Sequence, residues 1–233
     1  MIKAILHLMK WDFLFFLRYQ LITVAALIAG LYSIILGLLP DNSNTFLILL
    51  IFSDPTFLGF LFIGVIVLYE KSSNTIEALS ITPARLGNYI ISKSIVLTFV
   101  AIFAAIVMAV SAKGFQFNSG YLLLAVVLSS VLFILLGFVG VSKIKTFNQY
   151  ILVIPMFFTP AVLPLLEVFG FLSSPLFYFI PTKAGLLLFE AAFEDEILLC
   201  DFIYCIVYLS VWILFSYRWA YKAMMLNWKN QAL

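Results

Sequence analysis

Residues 69–94, YEKSSNTIEALSITPARLGNYIISKS, form the one long polar interruption in the first half of a chain that is otherwise strongly apolar. Apolar runs flank this stretch at 45–68 and 95–112. A helix needs roughly 20 apolar residues to cross a bilayer core of about 30 Å, and both runs approach or exceed this length. The pattern therefore predicts two membrane-crossing helices joined by a polar loop, and the rest of the chain is interpreted around them.

The composition of the whole chain indicates an integral membrane protein. Of its 233 residues, 65% are hydrophobic and only 10% are charged, which leaves too little polar surface for a soluble domain of this size. The apolar runs predict an all-α, polytopic fold in which residues 1–233 form a single transmembrane domain. Six spans are predicted, at about 21–39, 45–68, 95–112, 121–141, 150–166 and 202–217.

The distribution of basic residues predicts the orientation of these spans. With both termini in the cytoplasm, 11 of the 13 Lys and Arg residues lie inside, and only Lys113 and Lys183 lie outside. Cytoplasmic loops of membrane proteins carry an excess of Lys and Arg, so an even number of crossings of the cell membrane is expected. The polar loop at 70–94 is then cytosolic.

The N-terminal residues 1–20 differ from a regular span. Lys3, His7 and Lys10 fall on one side of a helix, and the other side is apolar. This pattern predicts an amphipathic helix that lies in the cytosolic headgroup layer.

A second irregular segment, 165–196, precedes the last span. Glycine and proline residues cut it into pieces shorter than a bilayer, which predicts short re-entrant helices in the outer leaflet. Thr182 is predicted to be the N-cap of the last piece. Irregular backbone at this depth is tolerated only against protein or a watery cavity, so the segment either faces a substrate path or packs as an outer cap on the bundle.

The polar loop itself carries signals for two helices. Asn74 followed by Glu77 is typical of the beginning of a short helix. Thr82 and Pro83 are predicted to be the N-cap and first residue of a second helix, which continues into the third span.

Three apolar side chains lie between the charges of this loop, those of Ile76, Leu79 and Ile81. They are expected to project from the membrane surface, where a soluble partner with a groove would cover them. The alternative interpretation is a loop that folds back onto the bundle.

The loop resembles the coupling-helix loop of type-2 ATP-binding-cassette (ABC) transporter permeases. The residues that carry the resemblance are Glu70-Lys71, Thr75-Ile76-Glu77-Ala78-Leu79, Thr82-Pro83 and Tyr89 to Lys93. The upstream Phe52-Ser53-Asp54-Pro55, with Leu58-Gly59, is similar to the bacterial drug-exporter branch, which includes fluoroquinolone export permeases. The resemblance covers nearly the whole chain in span order, although family loops often have Gly where Asn74 stands and Leu where Ser80 stands.

The resemblance implies that the loop docks into a separate cytosolic ATPase, and that two permease chains, identical or related, form one transporter. The implied docking residues are Glu70, Ile76, Glu77, Leu79, Thr82, Pro83 and Arg85. The chain contains no G-x-x-x-x-G-K-[ST] motif, so ATP and Mg²⁺ would be bound by the partner and no cofactor by this chain. The implied function is export of a hydrophobic drug, antibiotic, peptide or lipid by a bacterial transport subunit that is not itself an enzyme.

Asp54 is the only acidic residue well inside a predicted span. A carboxylate there costs about 2.5–3.5 kcal/mol on insertion scales, which favours a role in the substrate path or in gating. Pro55 follows, however, and Asp-Pro is a usual beginning of a helix, which favours the alternative that Asp54 is an N-cap near the interface.

The rival functional interpretations are an ion-coupled secondary transporter and a non-catalytic membrane protein. A secondary transporter needs ionisable groups for its coupling ions, and the predicted spans offer almost none beyond Asp54. Nucleic-acid binding is disfavoured by the net charge of only +2.

Overall fold

A computed structural model describes residues 2–38, 44–53, 58–80, 82, 85–194 and 197–230. Regular structure in these ranges is entirely helical, which confirms the predicted all-α class. The helices are α1 (Ile2–Arg18), α2 (Leu21–Leu38), α3 (Asn44–Ser53), α4 (Gly59–Ser72), α5 (Thr75–Ser80), α6 (Leu86–Lys113), α7 (Ser119–Ser142), α8 (Phe147–Val162), α9 (Leu165–Val168), α10 (Pro181–Glu194) and α11 (Leu199–Asn230), with a 3-10 helix at Pro175–Phe179.

Four of the described helices are long and apolar enough to cross a membrane: α2, α6, α7 and residues Leu199–Met225 of α11. They coincide with the first, third, fourth and sixth predicted spans. The region of the second predicted span holds α3 and α4, of 10 and 14 residues. The fifth corresponds to α8, whose 16 residues extend for only about 24 Å. Six crossings therefore stay a prediction.

Helix α7 forms the centre of the bundle and packs against α4, α6, α10 and α11. Its contact with α4 is close because Gly137 has no side chain. A Cβ atom at this position would lie 2.3 Å from Cγ2 of Ile63 and 2.9 Å from the carbonyl oxygen of Phe60. Small residues at such contacts are the usual means by which membrane helices approach one another.

Helix α8 is attached to α4 through the aromatic side chain of Tyr150. The Tyr150 hydroxyl donates to the carbonyl oxygen of Phe60 at 2.7 Å, and its ring occupies the space left by Gly64. Pro155 and Pro160 lie inside α8, where each removes a regular backbone hydrogen bond. The helix is thus well fixed at its beginning and weakened toward its end.

Helix α1 lies where the sequence predicts an amphipathic helix, and it packs against α6 and α2. Phe16 is fully buried in this contact, whereas Trp11 and Phe13 remain exposed. Its position in the headgroup layer stays a prediction.

The segment before the last span consists of α9, the 3-10 helix and α10. Helix α10 is largely buried against α7, α11 and α3. The prediction that Thr182 is its N-cap is wrong, because the helix already begins at Pro181 and the extended residue Ile180 precedes it. Proline fits the first helical position, because the N–H group that it lacks would have no intrahelical acceptor there. The depth of this segment in the membrane stays a prediction.

Candidate functional site

The loop between α4 and α6 contains the predicted short helix, which is α5. Asn74 separates α4 from α5 and has a φ of 56°. Glycine and asparagine adopt this left-handed conformation with the least strain, so the structure explains how Asn can stand where the resembled loops often have Gly. The amide of Ala78 donates to the carbonyl of Asn74 at 3.1 Å, which begins α5.

The second helix of the loop begins later than predicted. Helix α6 begins at Leu86, and Arg85 is its N-cap, with extended backbone angles. The hydroxyl of Thr82 donates instead to the carbonyl oxygen of Leu79 at 2.7 Å, so this side chain closes α5 and does not begin α6. Pro83 lies outside the described residues.

A buried ion cluster joins α1, α4 and α6. Its members are Asp12, Glu70, Tyr89, Ser92 and Lys93. The fully buried ammonium group of Lys93 lies 2.8 Å from Asp12 Oδ1 and 2.6 Å from Glu70 Oε1. The second oxygen of each carboxylate accepts a hydroxyl hydrogen bond, from Ser92 for Asp12 and from Tyr89 for Glu70. One cation thus holds two acids from different helices.

Lys71 makes a second attachment at the end of α4. Its ammonium group donates to the carbonyl oxygens of Val141, Ser142 and Ile144 at 2.8, 2.8 and 2.9 Å. These carbonyls lie at and just beyond the end of α7, where backbone acceptors lack intrahelical donors and the helix dipole is negative. Burial lowers the pKa of Lys71, which lies beyond the predicted span 45–68, to about 8.

Glu70 and Lys71 together fix α4 in two directions. Consecutive side chains on a helix point about 100° apart, so neighbouring residues contact different helices. Glu70 reaches α1 and α6, and Lys71 reaches α7. The acidic-basic pair that carries part of the sequence resemblance is therefore a structural junction.

The apolar side chains of α5 face the bundle. Ile76 is only 1% exposed, and Leu79 is partly buried against the core. The expectation that Ile76 projects from the surface is therefore wrong, because burying such a side chain gains about 1.5–3 kcal/mol and the bundle offers the space. The alternative of a loop folded back onto the bundle describes α5 better. Ile81 lies outside the described residues.

The predicted docking residues consequently divide into two groups. Glu70 is 5% exposed and Ile76 is 1% exposed, so both side chains are buried in the structure, and their part in docking stays a prediction. The side chains of Glu77, Thr82 and Arg85 are exposed, and that of Leu79 is partly buried. Asp54, the predicted gating residue, lies outside the described part of the chain.

A cavity of about 390 Å³ lies in another part of the bundle, between α7, α8, α11 and the beginning of α10. Its wall is mostly apolar and aromatic, with side chains that include Phe133, Phe157, Phe179, Trp212 and Trp219. The segment before the last span thus borders a cavity, in keeping with one of the two interpretations of that segment.

A family model described as the fluoroquinolones export permease protein family matches residues 3–228. The chain belongs to this family. The permease is 33% identical over 144 residues to a fluoroquinolones export permease protein of Mycobacterium tuberculosis strain CDC 1551 / Oshkosh, and equally to one of strain ATCC 25618 / H37Rv. Each match covers 61% of this chain and 60% of the relative, so the permease aligns with less than two thirds of these relatives' length. The predicted resemblance to fluoroquinolone export permeases is confirmed.

Sequence reasoning on the permease missed the ion cluster, although signals for it exist. Tyr89 and Lys93 are four residues apart and share one face of α6. Asp12 is an isolated acid in an apolar helix, which is a reason to expect a buried partner. The sequence does not reveal that Tyr89 and Lys93 contact Glu70 in the folded chain.

Proposed function

We propose that the chain is the membrane-spanning subunit of an ABC exporter that moves a hydrophobic drug out of a bacterial cell. ATP and Mg²⁺ would be bound by a separate cytosolic ATPase, since the sequence has no phosphate-binding motif of its own. Membership of the fluoroquinolones export permease protein family supports the export of a drug. The positive-inside distribution supports six crossings with both termini in the cytoplasm and a cytosolic α4–α6 loop.

The observation that carries this proposal is the attachment of the loop to the bundle. The ion cluster fixes α4 to α1 and α6, Lys71 fixes it to α7, and α5 packs against α4 and α11. A force applied to this loop would act on these helices together, because the ion pairs, the Lys71 hydrogen bonds and the α5 contacts join them to it directly. This is the mechanical property that an element driven by an external ATPase requires.

In this proposal the ATPase binds the exposed side of the loop, through Glu77, Thr82 and Arg85. The buried side chains of Glu70 and Ile76 would hold α4 and α5, the helices beside this surface, against the bundle. Two permease chains, either identical or related, would form the transporter, with an ATPase under each.

Co-purification with the ATPase tests the proposal. The complex is isolated from its native membrane, the ATPase is identified, and both are then expressed together with the Glu77→Lys or Arg85→Glu variant. We expect each variant to reach the membrane at the normal level and to lose most of the bound ATPase, because the charge at the contact is reversed. Lys145→Glu, a charge reversal at an exposed position of the α7–α8 loop on the same predicted face, is the matched control.

Two results would contradict the proposal. Labelling of residues 72–78 from the outer face would place the loop on the wrong side of the membrane. Export that continues without any ATPase and stops when the proton gradient is removed would favour an ion-coupled transporter.

A further inference from the structure

A groove beside the ion cluster separates α1 from the end of α4 and from α5. Its volume of about 500 Å³ falls within the roughly 300–1,000 Å³ typical of small-molecule sites. The charged and aromatic side chains in its wall are those of Trp11, Asp12, Arg18, Tyr19, Tyr69 and Glu70. Such a wall suits a ligand that carries charges of both signs.

The ion cluster gives this groove an uncompensated negative charge. Two carboxylates, those of Asp12 and Glu70, share the single ammonium group of Lys93. Both acids line the groove, and the side chain of Asp12 is 14% exposed. Lys71, the next cation along α4, is occupied by the backbone carbonyls at the end of α7. The excess carboxylate charge therefore favours a ligand with a cationic group.

Aromatic side chains form another part of the same wall. Trp11 is exposed and adjoins Asp12 in the sequence of α1, and the rings of Tyr19 and Tyr69 lie 4.7 Å apart. Aromatic faces attract a cation within about 6 Å, and several rings together bind amino groups in many proteins. A primary ammonium group can also donate hydrogen bonds to the carboxylates, which a quaternary one cannot.

Arg18 supplies the positive group of the groove. Its side chain is exposed and forms no ion pair with any carboxylate in the described part of the chain. The hydroxyl groups of Tyr19 and Tyr69 are bonded to each other, which leaves one hydroxyl hydrogen for another acceptor. Guanidinium and hydroxyl donors together are suited to a phosphate group. Arg18 and Asp12 are about 9 Å apart along α1, so the phosphate must be joined to the ammonium by a short linker.

The aliphatic side chains of the groove indicate that this ligand is a lipid. Leu8 and Leu14 line the groove, and Leu14 is exposed. The sequence predicts that α1 lies in the cytosolic headgroup layer, where the charged groups of phospholipids are at the depth of this helix.

We propose that the groove binds the headgroup of phosphatidylethanolamine from the cytoplasmic leaflet. Its ammonium group donates to Asp12 and lies against the ring of Trp11, its phosphate accepts from Arg18, and its acyl chains lie along Leu8 and Leu14. Because α1 and the end of α4 both form the wall, the lipid bridges α1 and the α4–α6 loop. This inference goes beyond the proposed function and does not depend on the ATPase.

Native mass spectrometry of the purified full chain, released from lipid-free detergent micelles, tests the inference by counting bound lipids. Phosphatidylethanolamine and phosphatidylglycerol with identical acyl chains are titrated separately. Phosphatidylglycerol has the phosphate but no cation. We expect one phosphatidylethanolamine molecule to bind about tenfold more tightly than phosphatidylglycerol.

Two charge variants separate the halves of the headgroup. Asp12→Asn removes the excess charge and keeps an oxygen acceptor for Lys93, so it should weaken phosphatidylethanolamine binding about fivefold to tenfold without weakening phosphatidylglycerol binding. Arg18→Gln should weaken the binding of both lipids about fivefold, because both have the phosphate. Arg218→Gln, at an exposed position of α11 outside the groove, is the matched control and should bind both lipids normally.

A pair of aromatic variants tests the contact with the ammonium group. Trp11 and Phe13 are both exposed on α1, at 59% and 47%, but only Trp11 lines the groove. We expect Trp11→Leu to weaken phosphatidylethanolamine binding about threefold to tenfold, and Phe13→Leu to leave it unchanged. Trp11 and Arg18 lie outside the ion cluster, so their variants test the site even if Asp12→Asn does not fold.

Two results would overturn the inference. Equal affinity of the unmodified chain for the two lipids would show that the groove does not recognise the ammonium group. Phosphatidylethanolamine binding that neither Arg18→Gln nor Trp11→Leu weakens would place the lipid elsewhere on the chain. Both measurements use the chain alone, so they leave the co-purification test of the proposed function unaffected.

Discussion

Replacing Lys93 by methionine tests whether the ion cluster holds α1, α4 and α6 together. The side chains of Lys93, Glu70 and Asp12 are only 1%, 7% and 14% exposed, so solvent screens their charges little. At an effective dielectric constant of about 20, each N–O pair at 2.6–2.8 Å attracts by about 6 kcal/mol. Desolvation of several kcal/mol per ion offsets most of this attraction.

The variant leaves two buried carboxylates without a cation. Removing one partner of a buried ion pair typically costs about 3–5 kcal/mol, and we expect Lys93→Met to lower the free energy of unfolding by this amount. Methionine has a similar length and fills the space, so the loss reports the charge and not a cavity. Lys222→Met, at an exposed position of α11, should change stability by less than about 0.5 kcal/mol.

Denaturant unfolding of the purified chain in mixed micelles measures these differences. The double variant Glu70→Gln, Lys93→Met removes one of the stranded acids, so its loss should be smaller than the sum of the two single losses by about 1–3 kcal/mol. A loss below about 1 kcal/mol for Lys93→Met would refute the reasoning, and so would strict additivity in the double variant.

Two further predictions concern backbone geometry, and the same unfolding measurement checks both. Gly137→Ala should destabilise the chain by about 1–3 kcal/mol, because its Cβ would lie 2.9 Å from the Phe60 carbonyl oxygen, whereas the Cβ of Gly30→Ala meets nothing within 4 Å and this variant should not be destabilised. Asn74→Gly should be tolerated and Asn74→Val should cost about 1–2 kcal/mol because φ is 56°; equal effects of the two would contradict the assigned left-handed turn.

The fold class could be predicted from the sequence because length and hydropathy alone identify a crossing helix. Helices α2, α6, α7 and α11 follow from this rule. The second predicted span, 45–68, contains α3 and α4, and its crossing of the membrane stays a prediction.

The candidate site could be predicted in outline only. The order of a short helix and a long helix in the loop was correct, because Asn74 and the Glu77 signal depend on local geometry. The buried face of α5 is determined by the space between α4 and α11. The sequence of a six-residue helix does not contain this tertiary information. Thr182 illustrates the same limit, since a cap signal one residue from a proline is ambiguous.

Helix α11 connects the ion cluster with the cavity, and helix α7 connects the Lys71 attachment with the same cavity. In α11, the ring of Trp228 lies 5.8 Å from that of Tyr89 in the ion cluster, and Trp212 lines the cavity. These tryptophans are 16 residues apart, or about 24 Å along one helix. In α7, the carbonyl of Ser142 accepts from Lys71, and Phe133 lines the cavity.

Helix α8 forms the remaining long wall of the cavity, and its prolines make it the weakest of the three. We therefore expect that displacement of the α4–α6 loop would move α7 and α11 as rigid elements relative to the part of α8 that follows Pro155. The cavity lies between α8 on one side and α7 and α11 on the other. Its volume would therefore change more than that of any space enclosed by α7 and α11 alone.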